Sequence, residues 1–188
     1  MKTILTIILA LTFGLTVGQT TLIPDPNFEQ ALIDLGYDNV LDGNVLTTNI
    51  SGIDTLVIHG WPNGGNISDL TGLEDFTVLE ILDCRFNQLT SLDISSNTAL
   101  RNLKCSNNQI TSIDFSNNAD LKYLDCSYNQ LTSLNVDNNL SLILFDFSNN
   151  HLTSIDLSNN TELTFLDCVH NLLTSLDVSN NIYLITLD

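Results

Sequence analysis

The residues of this chain with reactive or ligating chemistry are four cysteines, three histidines and two columns of aspartate. Cys84, Cys105 and Cys126 lie 21 residues apart, and Cys168 falls on the same period with Phe147 in the place between. A zinc site would call for ligands paired over a short spacing such as Cys-x-x-Cys, and no histidine shares this period. A position that also accepts phenylalanine is apolar, so the thiols read as buried core groups. His59, His151 and His170 stand in no nucleophile or carboxylate motif. Nucleophile elbow, phosphate loop and His-Glu-x-x-His are all missing from the sequence. The chain therefore reads as non-catalytic and without a cofactor.

The aspartates are more suggestive. Asp83, Asp125, Asp146 and Asp167 form one column, interrupted by Lys104. Asp93, Asp114, Asp156 and Asp177 form another, interrupted by Asn135. On neighbouring strands about 4.8 Å apart, like charges repel unless screened or paired. Calcium could relieve this through carboxylate oxygens, which makes Asp83, Asp125, Asp146 and Asp167 candidate ligands. The plainer alternative, and the one adopted, is hydrogen bonding to adjacent Ser and Thr in a solvated face, with no metal. The loop from Asp38 to Asn44 lacks the acidic spacing and closing glutamate of an EF-hand.

Charge narrows the partners. Against 22 Asp+Glu there are 5 Lys+Arg, a net charge of -17. Such a surface repels the phosphate backbone, so nucleic acid is excluded, and an anionic membrane surface is disfavoured likewise. With 43% hydrophobic and 14% charged residues, the chain can bury a core rather than remain a disordered acidic tail.

What positions these residues is a repeat. Leu79-Glu-Ile-Leu82-Asp-Cys84-Arg-Phe-Asn87-Gln-Leu89 returns as Leu121-Lys-Tyr-Leu124-Asp-Cys126-Ser-Tyr-Asn129-Gln-Leu131. The template begins again at Leu79, Leu100, Leu121, Leu142 and Leu163, each 21 residues after the last. Asn87, Asn108, Asn129, Asn150 and Asn171 keep register. A fainter copy nests inside each repeat, as in Leu89-Thr-Ser-Leu92-Asp-Ile94-Ser-Ser-Asn97. This pattern resembles the nested 21-residue class of bacterial leucine-rich repeats over residues 79–188, and more loosely from about 46. The resemblance implies a solenoid whose parallel β-sheet is stacked from 21-residue repeats, the second half of each repeat also extended. The alternation in Leu82-Asp-Cys84 independently points one face inward. Each Asn falls where the chain must turn, so its side chain can pair backbone groups and stack into a ladder. Parallel strands hold their Cβ vectors parallel, which fits disulfide geometry poorly.

The flanks differ. Residues 1–18 read as a signal peptide, with Lys2 ahead of an apolar stretch and cleavage near Gly18. That places the protein outside the cell or on its surface, with no membrane insertion after cleavage. Residues 19–45 form an N-terminal cap: Asp25 and Pro26 open a short helix, Phe28, Ala31, Leu32 and Leu35 line one side, and Gly36 stops it. Residues 46–78 make irregular first repeats, with a turn-rich insertion at 60–65. This arrangement is similar to capped leucine-rich proteins of the internalin type. Five repeats fill 79–183, and 184–188 begin a sixth that stops in mid-strand. The expectation is a fragment of a longer chain; an open end would otherwise self-associate through its strand edge and apolar face.

Variation between repeats marks a binding face. The second-half column Ser91, Ser112, Ser133, Ser154, Ser175 is monotonous. The column before the central Leu reads Ile81, Asn102, Tyr123, Leu144, Phe165, and a later one reads Phe86, Asn107, Tyr128, Asn149, His170. A third, Arg85, Ser106, Ser127, Ser148, Val169, is read as outward too. Outward apolar clusters mark interaction surfaces. Ile81, Phe86, Tyr123, Tyr128, Leu144, Phe165 and His170 are therefore the candidate partner-binding residues, for a protein or glycan ligand. The strip offers about 400 Å², where a standard interface uses about 800 Å² per partner. The function expected is a non-catalytic adhesion or recognition module. The alternatives are a structural spacer presenting another domain, or the non-catalytic part of a longer secreted enzyme.

Overall fold

The computed structural model describes residues 18–60 and 65–188. All but the last residue of the signal-peptide reading, and most of the insertion, lie outside the described residues. The elements run β1 (Thr20–Leu22), α1 (Pro26–Asp34), β2 (Asn44–Leu46), α2 (Thr47–Ile50) and β3 (Thr55–Val57). After a 3-10 turn at Leu73–Asp75 come β4 (Ile81–Asp83), β5 (Asn102–Lys104), β6 (Tyr123–Asp125), β7 (Leu144–Asp146), β8 (Phe165–Asp167) and β9 (Thr186–Leu187).

Strands β3 to β9 form one parallel sheet in sequence order. Ile81 pairs with Asn102, Asn102 with Tyr123, Tyr123 with Leu144 and Leu144 with Phe165, so the 21-residue period is the register. From β3 to β4 the step is 26 residues, Thr55 to Ile81, which takes in the insertion. Each strand is short because its middle residue alone must point inward. Leu82, Leu103, Leu124, Phe145 and Leu166 are fully buried, as are Leu79, Leu100, Leu121, Leu142 and Leu163. Each such side chain contributes about 1.5–3 kcal/mol when wholly removed from water. It is removed only because turns stack, so one repeat alone has no core. In the fourth repeat both inward places are aromatic, and the Phe145 and Phe147 rings lie 4.8 Å apart, tilted by 47°.

Two asparagine ladders close the turns. Asn108 donates from Nδ2 to the carbonyls of Cys84 (3.1 Å) and Cys105 (3.0 Å), and its Oδ1 accepts from Leu89 N–H (3.0 Å). Asn129 and Asn150 repeat this geometry one and two turns on. In the nested copy Asn118 donates to Ile94 O (3.1 Å) and Asn97 O (2.9 Å). Here Oδ1 of Asn97, Asn118, Asn139, Asn160 and Asn181 is buried without a protein partner. The second half of a repeat carries no strand among the described residues. Its backbone is drawn into turns, because Asp93, Asp114, Asn135, Asp156 and Asp177 each accept from the N–H two residues on, at 2.8–2.9 Å.

The cap is built as its sequence suggests. Asp25 Oδ1 accepts from Asn27 N–H (2.8 Å) and Phe28 N–H (3.3 Å) at the start of α1, with Pro26 in the first helical turn. Phe28 and Leu32 are fully buried. The helix ends in a Schellman turn: Tyr37 N–H reaches Leu32 O (2.9 Å), Gly36 N–H reaches Ile33 O (2.9 Å), and Gly36 has φ 81°. Strands β1 and β2 pair antiparallel beside it.

Candidate recognition face on the parallel sheet

The outward residue of each strand forms a continuous row. Ile81 (36% exposed) and Tyr123 (43%) stand open, while Leu144 and Phe165 are half-buried against their neighbours. A shallow cleft of about 230 Å³ on this row is lined by Asn102, Lys104, Tyr123, Leu124, Asp125 and Leu144.

A second row flanks the first where the chain leaves each strand. Phe86, Asn107, Tyr128, Asn149 and His170 have φ of 58°, 56°, 51°, 55° and 55°. These left-handed residues turn the chain toward the asparagine ladder, and the N–H groups of Phe86, Asn107, Tyr128 and Asn149 stay in the interturn network: Tyr128 N–H donates to Ser148 O (2.9 Å). Asn is at ease in this conformation, whereas an aromatic side chain there costs about 1 kcal/mol. Phe86 and Tyr128 therefore occupy places for which backbone geometry prefers Asn or Gly, while His170 is of a type that tolerates the conformation. Tyr128 and His170 are exposed and Phe86 is half-buried.

The Ser column between these rows departs from the outward reading. Ser106, Ser127 and Ser148 are buried, at 3–4% exposure. The left-handed residue that follows folds this position back against the aspartates. Ser106 Oγ donates to Asp125 Oδ2 (2.9 Å), and Ser127 Oγ donates to Asp125 Oδ1 (2.7 Å).

The first aspartate column is divided by what surrounds it. Arg85 binds Asp83 through two bonds, Nε to Oδ1 (2.9 Å) and Nη2 to Oδ2 (2.7 Å). Burial works to raise the Asp83 carboxyl, and the Arg85 guanidinium outweighs it, holding the group below the usual range. Asp146 has no such cation. Burial and the neighbouring charges of Asp125 and Asp167 hold its pKa above normal, against the opposing bonds from Ser148. Asp167 Oδ1 accepts from Val169 N–H (3.1 Å). Among the described residues no three His, Cys, Asp or Glu converge on a metal-sized site. In the other column Asn135 makes the bond that its aspartate counterparts make, so the position calls for an acceptor rather than a charge.

Cys84, Cys105 and Cys126 are fully buried free thiols, and burial pushes all three well above the normal thiol range. Cys168 is half-buried and donates from Sγ to Asp188 O (3.1 Å). His59, His151 and His170 lie exposed on separate turns.

Two polar anchorages, that of Glu29 and the second one made by the cap residue Asp25, have no counterpart in the sequence analysis. Glu29, 2% exposed, accepts from the N–H groups of Asp42 (2.8 Å), Gly43 (2.6 Å) and Asn44 (3.1 Å) through one oxygen. Asp25 uses its second oxygen to hold Ser68 N–H (2.7 Å), Ser68 Oγ (2.9 Å) and Asp69 N–H (3.0 Å), tying the cap to the irregular repeat. Their only sequence signal is an acidic residue at a helix start.

Parallel strands in 21-residue register, joined by two asparagine ladders and closed by a helical cap, define a leucine-rich-repeat solenoid. The family profile "Leucine Rich repeats (2 copies)" matches residues 98–141. The functional domain of InlJ from Listeria monocytogenes, described as including a cysteine ladder, superposes with a TM-score of 0.82 at 36% identity. The match covers 93% of this chain and 39% of that one. InlF, an internalin from the same organism, gives 0.81 at 23% identity over 88% of this chain and 49% of that one. A leucine-rich-repeat protein of Leptospira interrogans gives 0.53 at 21% identity over 64% of this chain and 39% of that one. No curated protein matches. The chain is an internalin-like leucine-rich-repeat protein. It spans less than half the length of either internalin.

Proposed function

We propose that this chain is a non-catalytic recognition module of a secreted or surface-displayed bacterial protein, and that it binds a protein partner through the sheet face. The carrying observation is the left-handed row. Phe86 and Tyr128 stay where backbone geometry favours Asn or Gly, and Asn107 and Asn149 show what the fold itself prefers. Together with Ile81, Tyr123, Leu144 and Phe165 they give the face an aromatic and apolar character that folding does not require. The internalin resemblance and the signal-like residues 1–18 support export.

The test selects ligands from a displayed peptide library on the wild-type chain, then measures their affinity for the triple variant Tyr123→Ser, Tyr128→Asn, Phe165→Ser. Every selected ligand should weaken by about tenfold or more, as expected when clustered aromatic anchors are lost. Undiminished binding would move recognition to another face, and a library that yields no ligand would favour a spacer. Export has its own readout: the secreted product should begin at Gln19 on N-terminal sequencing.

A further inference from the structure

The charges on the sheet face are sorted along the solenoid. Among the described residues, every Lys and Arg lies between Arg85 and Lys122. Arg85 is paired with Asp83, and Arg101 meets Glu80 at 3.0 Å. Lys104 sits in register between Asp83 and Asp125. Beyond Lys122 the same column continues as Asp125, Asp146 and Asp167 with no Lys or Arg following. Asp146 and Asp167 are half-buried on strands about 4.8 Å apart. They lie beside Leu144 and Phe165, the apolar part of the row that shares their strands.

We propose that the partner is a basic protein segment, whose Lys or Arg side chains dock on Asp146 and Asp167 while its apolar groups cover Tyr123, Leu144 and Phe165. This rests on the reading of the face as a recognition surface and adds the chemistry and polarity of its occupant. Complementarity carries the choice. An acidic peptide or an acidic glycan would meet carboxylates already repelling one another. A cation offers the charge that Arg85 supplies at Asp83 and that nothing on this chain supplies at Asp146. Burial and the flanking Asp125 and Asp167 keep the Asp146 carboxyl hard to ionise, and an incoming cation relieves that repulsion. On the earlier turns Arg85 already neutralises Asp83 and Lys104 lies beside Asp125, so the carboxylates left for an incoming cation are at the β7–β8 end.

Three labelled peptides test this, identical except that Lys, Gln or Glu alternates within a common Tyr/Ser frame. Binding is read by fluorescence anisotropy at low and high salt. The Lys peptide should bind about tenfold more tightly than the Gln peptide and the Glu peptide weakest. That advantage should vanish in Asp146→Asn/Asp167→Asn and persist in Asp93→Asn/Asp114→Asn, which removes the same charge from the other column. Both variants keep the side-chain acceptors and so the fold. Equal loss in both double variants would reduce the effect to net charge and overturn the proposal. So would a Gln peptide that binds as tightly as the Lys peptide. If Tyr123→Ser/Phe165→Ser weakens all three peptides while the Asp variants change nothing, the recognition face stands and its basic partner does not. If no face variant matters, both readings fall. Tight binding of a neutral oligosaccharide with no peptide bound would also overturn the proposal in favour of a glycan.

Discussion

Asn129 makes four contacts from one side chain, donating to Cys105, Cys126 and Ser127 carbonyls at 3.1 Å and accepting from Ile110 N–H at 3.0 Å. Its nested counterpart Asn139 only donates, to Phe115 O (3.2 Å) and Asn118 O (2.8 Å). Stranding buried backbone groups costs about 1–3 kcal/mol each. Asn129→Ala should therefore lower stability by about 3 kcal/mol and Asn139→Ala by clearly less, as read by urea midpoints. The charged residue to change is Asp146. Its folded pKa is raised, so its ionised form opposes folding above that pKa, and the opposition disappears once pH falls below the unfolded value of about 3.9. Asp146→Asn keeps the acceptor for Ser148 N–H and should raise Tm at pH 7. The difference should fade as the wild type is acidified. At the left-handed row, Tyr128→Gly relieves backbone strain of about 1 kcal/mol and should leave Tm unchanged or higher while any ligand binding falls. That separation would mark the residue as kept for recognition.

At the scale of elements, the cap is a unit fastened by carboxylates. Asp25 serves both the first turn of α1 and the Ser68–Asp69 backbone. Burial works to raise its pKa, but the bonds from Ser68, Asn27 and Phe28 outweigh it and leave the group lowered. A lowered folded pKa supports the fold above the unfolded value near 3.9 and surrenders that support as pH falls through the folded one. Asp25→Ala should cost about 1–2 kcal/mol at pH 7, with the gap to wild type closing in acid. Hydrogen exchange should then quicken first in α1 and at Asp42–Asn44. The repeated elements were legible in the sequence because their constraint is local: one inward Leu, one Asn and one turn recur every 21 residues. The cap helix was legible too, from Asp25, Pro26 and Gly36. What could not be read was non-local or conformational. Glu29 meets backbone from a loop 13 residues on. The left-handed φ of Phe86 or Tyr128 has no signature when the residue is neither Gly nor Asn. Strand alternation points Ser106 and its column outward, but the alternation ends with the strand, and the left-handed residue that follows turns these serines inward.

At the scale of the molecule, stability is shared between neighbouring turns. The core is continuous from the cap at Ile23 to Leu166 in the last full repeat. In such arrays a core change is felt chiefly by the turns it touches. Leu124→Ala, at a fully buried place in the third repeat, should cost about 2–5 kcal/mol. It should also broaden the urea transition by uncoupling the turns on either side. Addition of calcium or EDTA should leave Tm unchanged, since calcium takes about six to eight oxygen ligands and no three acidic side chains converge on one point among the described residues. A shift in Tm would restore the metal reading for Asp125, Asp146 and Asp167.

Both the strand ladder and the asparagine ladders join each turn to the next, so their bonds lie along the stacking direction. A pull on the two ends therefore loads the turns in series, one interface at a time, rather than shearing many bonds together. Such a body yields as a spool pays out thread. Each 21-residue turn freed would lengthen the chain by about 70 Å at full extension. Force spectroscopy should show a staircase of near-equal steps at modest load, beginning at an end of the stack, with each turn rewinding when the load is relaxed. Tethered between two surfaces, the module would act as a compliant, resettable spring.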